Sequence, residues 1–284
     1  MRFISLVATS LLVLIAAQPA QAITGRFVDD FQHPFVGLAV FYDDEGEFIG
    51  RCSGSLLSPT LFLTAGHCIE GAASARVYFQ QDAGANFDPV TEVDPITGYP
   101  ETCLTQPCTT SSELINYGYP AGFPNTRDAA LVILDEPIIL GEYGTLAAAG
   151  SLDALATRRG RQATGFTVSG YGLSYTNPAK TLSFRERLMA TSQLVNLRSA
   201  LTGGFNLQTT NNPGTGGGTC FGDSGGPVFY GGTSSNLIVG VTSFGLSSKV
   251  CAGVDFAYRT DQQELLDFIL ANVPDGESVT IVEL

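Results

Sequence analysis

The segment Gly216-Gly-Gly-Thr-Cys-Phe-Gly-Asp-Ser-Gly-Gly-Pro227 holds one serine, Ser224, between Gly222-Asp223 and Gly225-Gly226. A serine alcohol is a weak nucleophile unless a base takes its proton and donors stabilise the oxyanion formed on attack. Glycines allow backbone N–H groups to approach a substrate closely and to adopt dihedrals that other residues avoid. The same pattern describes a Gly-rich surface turn, so catalysis requires a histidine and a carboxylate elsewhere. The chain has two histidines. His67 lies in Leu63-Thr-Ala-Gly-His-Cys68, where an apolar strand gives way to a Gly-containing turn. A lone histidine is more often a satisfied structural side chain, but Cys68 could tie this turn to Cys52 and hold the imidazole in one orientation. His33, in a loop ahead of a proline, has no such setting and reads as structural or exposed. Asp128 heads the apolar run Asp128-Ala-Ala-Leu-Val-Ile-Leu134. It reads either as a strand-capping aspartate or as a buried carboxylate that orients a histidine, and such an acid needs partners to stay charged in a core.

Chain order decides among the chemistries this trio allows. Gly222-Asp-Ser-Gly-Gly226 satisfies G-x-S-x-G, the nucleophile elbow of α/β-hydrolases, but that fold places its histidine after the serine. No histidine follows His67. An order of acid, histidine, serine would need Asp43 or Asp44, which sit in a hairpin turn. The pattern also lacks the alternating helices of an α/β fold. The order that remains is His67, Asp128, Ser224.

The elements that must position these residues are short strands. Phe35–Tyr42 and the run into Cys52 flank the acidic turn Asp43-Asp-Glu-Gly46, which is hairpin grammar. Residues 80–126 are irregular, with several prolines and the close pair Cys103 and Cys108, and read as a long surface insertion edging a cleft. Ala147–Ala156 reads as a linker or short helix. Further strands fall near Arg161–Tyr171, Leu188–Asn196, Pro227–Tyr230 and Leu237–Phe244. One helix is expected over Thr260–Ala271, with a capping-type start, Glu264 near its third position and an apolar face of Leu265, Phe268 and Ile269. Residues 278–284 form a tail with no assigned role.

The chain starts Met1-Arg2, runs apolar from Phe3 to Ala17 and reaches Ala20-Gln21-Ala22. This describes a secretory signal peptide over 1–22, too short and too early in proline for a comfortable membrane anchor. Secretion to the periplasm or the extracellular space is expected. Without those residues the chain keeps 13 basic and 27 acidic residues, which argues against nucleic acid or an anionic membrane as partner. Six cysteines in an exported chain favour disulfides, with fifteen pairings possible. No C-x-x-C spacing is present and histidines are scarce, so no metal and no cofactor are expected.

Together, Leu63–Cys68, Asp128–Leu134 and Gly222–Pro227 resemble the chymotrypsin/trypsin family of serine endopeptidases. Val168-Ser-Gly-Tyr-Gly172 and Ser243-Phe-Gly245 look like its S-G-W-G and S-W-G stretches, and the likeness covers nearly all of residues 23–273. The resemblance implies an all-β fold of two packed antiparallel six-stranded β-barrels with a C-terminal helix. The first barrel would span 23–147 and carry His67 and Asp128. The second would span 148–284 and carry Ser224, a helix at about 260–272 and the tail. Ser224 would be the nucleophile, His67 the general base and then acid, and Asp128 the group that fixes the imidazole tautomer. The N–H groups of Gly222 and Ser224 would form the oxyanion hole. Ser243, Phe244 and Gly245 would bind an extended substrate, Ser243 would also support Asp128, and Gly218 would floor the pocket for the residue before the cleaved bond (P1). Counting back from Tyr258 puts Phe256 on another wall, whereas a one-residue shift puts Asp255 there. With no acid at Gly218, apolar or small P1 residues are expected rather than Arg or Lys. Cys52–Cys68 and Cys220–Cys251 match family disulfides, leaving Cys103–Cys108 as the third pair. Cleavage after Ala22 would expose Ile23, whose ammonium is expected to pair with Asp223, although Ile23-Thr-Gly-Arg departs from the usual I-V-G-G. The partners implied are polypeptide substrates and protein inhibitors, acting on a monomer. The competing reading, a protease-like binding protein without catalysis, is disfavoured because all three triad residues are present.

Overall fold

Strands dominate because the apolar runs are short and are interrupted by glycine, proline and aspartate. The computed structural model describes residues 23–83, 91–94, 96–100, 103, 107–156, 164–174 and 184–284. The expected signal peptide, part of the insertion and the start of the strand expected from Arg161 therefore lie outside the described residues. The first half contains β1 (Thr24–Gly25), β2 (Phe27–Asp29), β3 (Val36–Tyr42), β4 (Phe48–Leu56), β5 (Leu61–Thr64), β6 (Ser74–Tyr78), β7 (Cys108–Ser111), β8 (Glu113–Asn116) and β9 (Ala130–Ile133). The second contains β10 (Thr145–Ala147), β11 (Gly165–Gly170), β12 (Leu188–Asn196), β13 (Asn206–Asn211), β14 (Gly217–Gly218), β15 (Pro227–Tyr230), β16 (Leu237–Gly245), β17 (Gly253–Arg259) and β18 (Ile281–Val282).

Two closed barrels result. The first sheet runs β7-β6-β3-β4-β5-β9-β8. Because β7 and β8 are one strand broken at Ser112, the two ends of this order are joined by the chain and six strands close on themselves. The second runs β15-β11-β12-β13-β17-β16, and β15 also pairs β16, which closes a second six-stranded barrel. Closure removes the free edges that an open sheet would expose. Not every pairing is antiparallel, because β10 joins both β16 and β18 in parallel.

The division at residue 147 is not where the sheets divide. β2 pairs β12, β1 pairs β14, and β10 pairs β16, so residues 24–29 and 145–147 extend the second barrel's sheets. A buried guanidinium fastens the junction: Arg187 donates to the carbonyls of Asp30 at 2.9 Å, Val36 at 3.2 Å and Phe79 at 3.0 Å, and to the Tyr171 hydroxyl at 3.1 Å. The tail is a strap. Glu277 accepts from the Ser58 hydroxyl at 2.5 Å and the Thr60 hydroxyl at 2.8 Å, while Ile281 and Val282 pair with β10.

The helix, α1, spans Gln263–Ala271 and buries Leu265, Leu266 and Ile269, with Phe268 only half-buried. Asp261 is not its cap. Its carboxylate accepts from Arg259 and from the Leu152 N–H instead. The 147–156 stretch holds a short 3-10 turn at Ser151–Leu155. His33 is buried, with Nδ1 2.8 Å from Asp30 and its ring stacked 4.2 Å from Phe229, a structural role as expected. Among the described residues no helix is long and apolar enough to cross a membrane.

Candidate active site

β5 and β9 run antiparallel with Thr64 opposite Ala130. His67 lies three residues beyond one member of that pair and Asp128 two before the other, so the ladder itself brings them together. His67 sits in the 3-10 turn Gly66–Ile69 and is partly exposed, whereas Asp128 is buried. Three donors surround the carboxylate: the His67 N–H at 2.9 Å, the imidazole Nδ1 at 2.9 Å, and the Ser243 hydroxyl. With Nδ1 facing the carboxylate, the imidazole turns Nε2 away from it, 3.7 Å from Cys68 Sγ. Cys52–Cys68 closes behind the turn, and the Tyr119 ring stands edge-on to the imidazole at 6.0 Å.

Ser224 comes from the loop between β14 and β15, and backbone bonds tie this loop to both barrels. The Ser224 carbonyl accepts from the Ser53 N–H at 2.8 Å, and the Gly225 N–H donates to Thr242 at 2.8 Å. Gly225 has φ +79°, and a β-carbon there would collide with the Thr64 hydroxyl and the Ser53 carbonyl. Only glycine lets the loop lie this close to the strand that leads to His67. The Gly222 carbonyl accepts from the Ser53 hydroxyl at 3.0 Å, and neither the Gly222 nor the Ser224 N–H is bonded to a backbone carbonyl among the described residues. Both donors are thus available to an oxyanion. The Ser224 hydroxyl makes no hydrogen bond to His67 among the described residues, a contact that in apo sites often tightens only with substrate.

The pocket differs from the expected one. A cavity of about 450 Å³ beside Ser224 is lined by Thr219, Phe221, Ser243, Phe244, Gly245 and Asp255, among others. Gly218 does not line it: it pairs with Thr24, and its Cα faces Asn211 and the Asp255 carboxylate. Phe256 is not a wall either. It is fully buried and stacks on Phe244, centroids 4.5 Å apart and planes 5° from parallel. Adjacent strand residues face opposite ways, so with Phe256 turned into the barrel Asp255 turns to the cavity. Of the two residues that counting allowed on this wall, Asp255 and not Phe256 lines the cavity. Asp255 accepts from Asn211 Nδ2 at 2.8 Å and the Thr219 N–H at 2.7 Å, and burial pushes its pKa up to about 6. The Cys251-to-Tyr258 spacing held the one usable signal, since a one-residue shift there exchanges Phe256 for Asp255.

Asp223 is buried directly before the nucleophile. Its carboxylate accepts from the Gly172 N–H and the Cys220 N–H, both at 2.8 Å. Burial, with the nearby charge of Asp255 adding to it, pushes its pKa up to about 7. Ile23 is buried in the second barrel's apolar cluster, next to the Thr24–Gly218 pairing. Its nitrogen is a peptide nitrogen in this continuous chain, and no ion pair reaches Asp223 among the described residues. All six cysteines are paired, as Cys52–Cys68, Cys103–Cys108 and Cys220–Cys251.

Two closed barrels, with a carboxylate-held histidine from one packed beside a glycine-flanked serine loop of the other, define the two-barrel class of serine proteases. The family model described as Trypsin matches residues 32–269, and the chain belongs to that family of trypsin/chymotrypsin-like proteins. A brachyurin from Leptuca pugilator is 30% identical over 235 residues, covering 81% of this chain and 89% of the relative. The structure titled HL collagenase superposes with a TM-score of 0.62 at 20% identity, over 87% of this chain and 96% of the other. An inactivated protease paralogue of the scabies mite superposes with a TM-score of 0.58 at 17% identity, over 87% and 95%.

Proposed function

We propose that this protein is a secreted serine endopeptidase. The observation that supports it most is the Asp128 carboxylate, which takes the His67 N–H, the imidazole Nδ1 and the Ser243 hydroxyl together beside the Ser224 loop. In the proposed reaction Ser224 Oγ attacks the scissile carbonyl while His67 Nε2 takes its proton. The Gly222 and Ser224 N–H groups stabilise the oxyanion, and His67 then hands the proton to the leaving amine. Water repeats the sequence on the acyl-enzyme. The second reading, a protease-like binding protein, has one specific prompt: the same fold carries an inactivated paralogue. Reaction of the purified protein with a serine-directed phosphonate separates them. One adduct on Ser224, abolished in His67→Ala, is expected. A correctly processed protein that forms no adduct would point to binding without catalysis.

Export is supported by the basic start and apolar run of residues 2–17 and by the three disulfides. Signal cleavage after Ala22 would free the Ile23 ammonium to pair with Asp223.

The P1 pocket is proposed to be broad. Phe221, Phe244 and Leu246 offer apolar surface, which supports the expectation of apolar P1 side chains. Asp255 adds a site for the charged end of Arg or Lys. Because its pKa stands at about 6, its charge is absent well below that pH. The kcat/KM ratio for Arg over Phe substrates is therefore expected to rise as pH climbs through about 6. Asp255→Asn should lower that ratio by about 10²-fold, the scale of losing one partner of a desolvated charge pair. An unchanged ratio would remove Asp255 from substrate recognition.

A further inference from the structure

One cation beside the site, Arg51, has no carboxylate partner among the described residues. Arg51 lies in β4, immediately before Cys52 and two residues before Ser53, whose N–H holds the Ser224 carbonyl. Its guanidinium carbon is 4.7 Å from the Phe184 ring centroid, 4.9 Å from Phe48 and 5.5 Å from Tyr99, and Nη1 is 3.4 Å from the Tyr99 hydroxyl. Rings hold a guanidinium in place without neutralising it. Three other arginines have carboxylate partners, Arg127 with Glu264, Arg185 with Asp82, and Arg259 with Asp261 and Asp153, while the buried Arg187 is held by carbonyls and the Tyr171 hydroxyl. Among the described residues no carboxylate pairs with Arg51, in a chain where acids outnumber bases 27 to 14.

The cage also borders the reaction centre. Phe184 packs against Gly222 so closely that a β-carbon there would lie 2.6 Å from its Cε1. The P1 cavity is lined by Ser224 and Ser243–Gly245 and by none of the cage residues. A peptide with its P1 side chain in that cavity and its carbonyl at Ser224 would leave on the side of the Cys52–Cys68 disulfide, where Arg51 directly precedes Cys52 in β4. We infer that Arg51, held by Phe48, Tyr99 and Phe184, reads an acidic side chain on the leaving-group side of the cleaved bond, within two or three residues of it. This rests on the endopeptidase reading and adds a substrate class to it.

The test uses the mature enzyme and internally quenched peptides that differ only in carrying Glu, Ala or Lys at the second or third residue after the cleaved bond. At one of these positions kcat/KM is expected to favour Glu over Lys by about tenfold, since attraction of one and repulsion of the other add. The preference should shrink as salt is raised. In Arg51→Gln the ratio should fall to near one, and in Arg51→Glu it should invert. Each ratio is internal to one protein, so incomplete folding of a variant cancels. A peptide 4-nitroanilide, which has no residue beyond the cleaved bond, is assayed alongside. Nitroanilide cleavage with a flat Glu/Lys ratio, or a ratio that survives in Arg51→Gln, overturns the role of Arg51 and leaves the endopeptidase standing. Failure of the wild type to cleave any substrate overturns both.

Discussion

Replacing Ser224 with alanine is expected to lower kcat/KM for peptide cleavage by about 10⁵- to 10⁶-fold, with folding intact. The loss is large because nucleophile and base act as a unit: without Oγ, the proton acceptor at His67 has nothing to activate. Residual cleavage, about 10³-fold or more above water, should come from the oxyanion donors and substrate binding, which the variant keeps. Stability should change little, because it is the Ser224 carbonyl, not its side chain, that bonds Ser53. Peptide kinetics and thermal melting of the two proteins check both halves. Activity within a hundredfold of wild type would place the nucleophile elsewhere.

One extra residue ahead of Ile23 in the mature protein is expected to reduce activity by at least 10²-fold, the scale of leaving a buried charge without its partner. In the continuous chain Asp223 has two N–H donors and no cation, and burial holds its pKa at about 7. A carboxyl whose pKa is raised on folding contributes stability that is intact below the unfolded value near 4 and is lost as pH rises through about 7. The extended form should therefore weaken across that window. A free Ile23 ammonium reverses the situation, keeping Asp223 ionised while the amine's own pKa is raised by the pairing. That contribution is complete below the unfolded amine value, near 8, and fades as pH rises through the folded one. Melting curves and kcat/KM from pH 5 to 10 on both forms would show losses with rising pH in different windows, below about 7 for the extended form and above about 8 for the mature one. Full activity of the extended form at pH 8 would rule out the pairing as the activating contact.

The two predictions meet in the Gly222–Gly226 loop, where adjacent residues hold different tasks. Asp223 is buried with its carboxylate on the Gly172 and Cys220 N–H groups, Ser224 lines the cavity, and Gly225 lies against Thr64. A displaced Asp223 would move its neighbours, which is how a buried ion pair could govern an oxyanion hole.

Local chemistry was legible in the amino-acid sequence because it depends on residue types at short spacings. His67 beside Cys68, Asp128 at the head of an apolar strand and Ser224 among glycines could each be read, and their order excluded the folds that place histidine after serine. Two barrels and the Cys52–Cys68 and Cys220–Cys251 disulfides followed from the family resemblance, the late helix from its own apolar spacing and Cys103–Cys108 as the pair left over, and the structure contains them all. What the tertiary structure alone decided depends on strand register and on contacts between distant segments. Asp255 and Phe256 exchange faces with a one-residue shift, and β16 carries an irregularity between Thr242 and Phe244 that counting along the chain does not reveal. The cage around Arg51 gathers Phe48, Tyr99 and Phe184 from three segments with no common motif. Sequence spacing reports neighbours along one strand, whereas a pocket is lined by whichever faces the closed barrels turn toward one another.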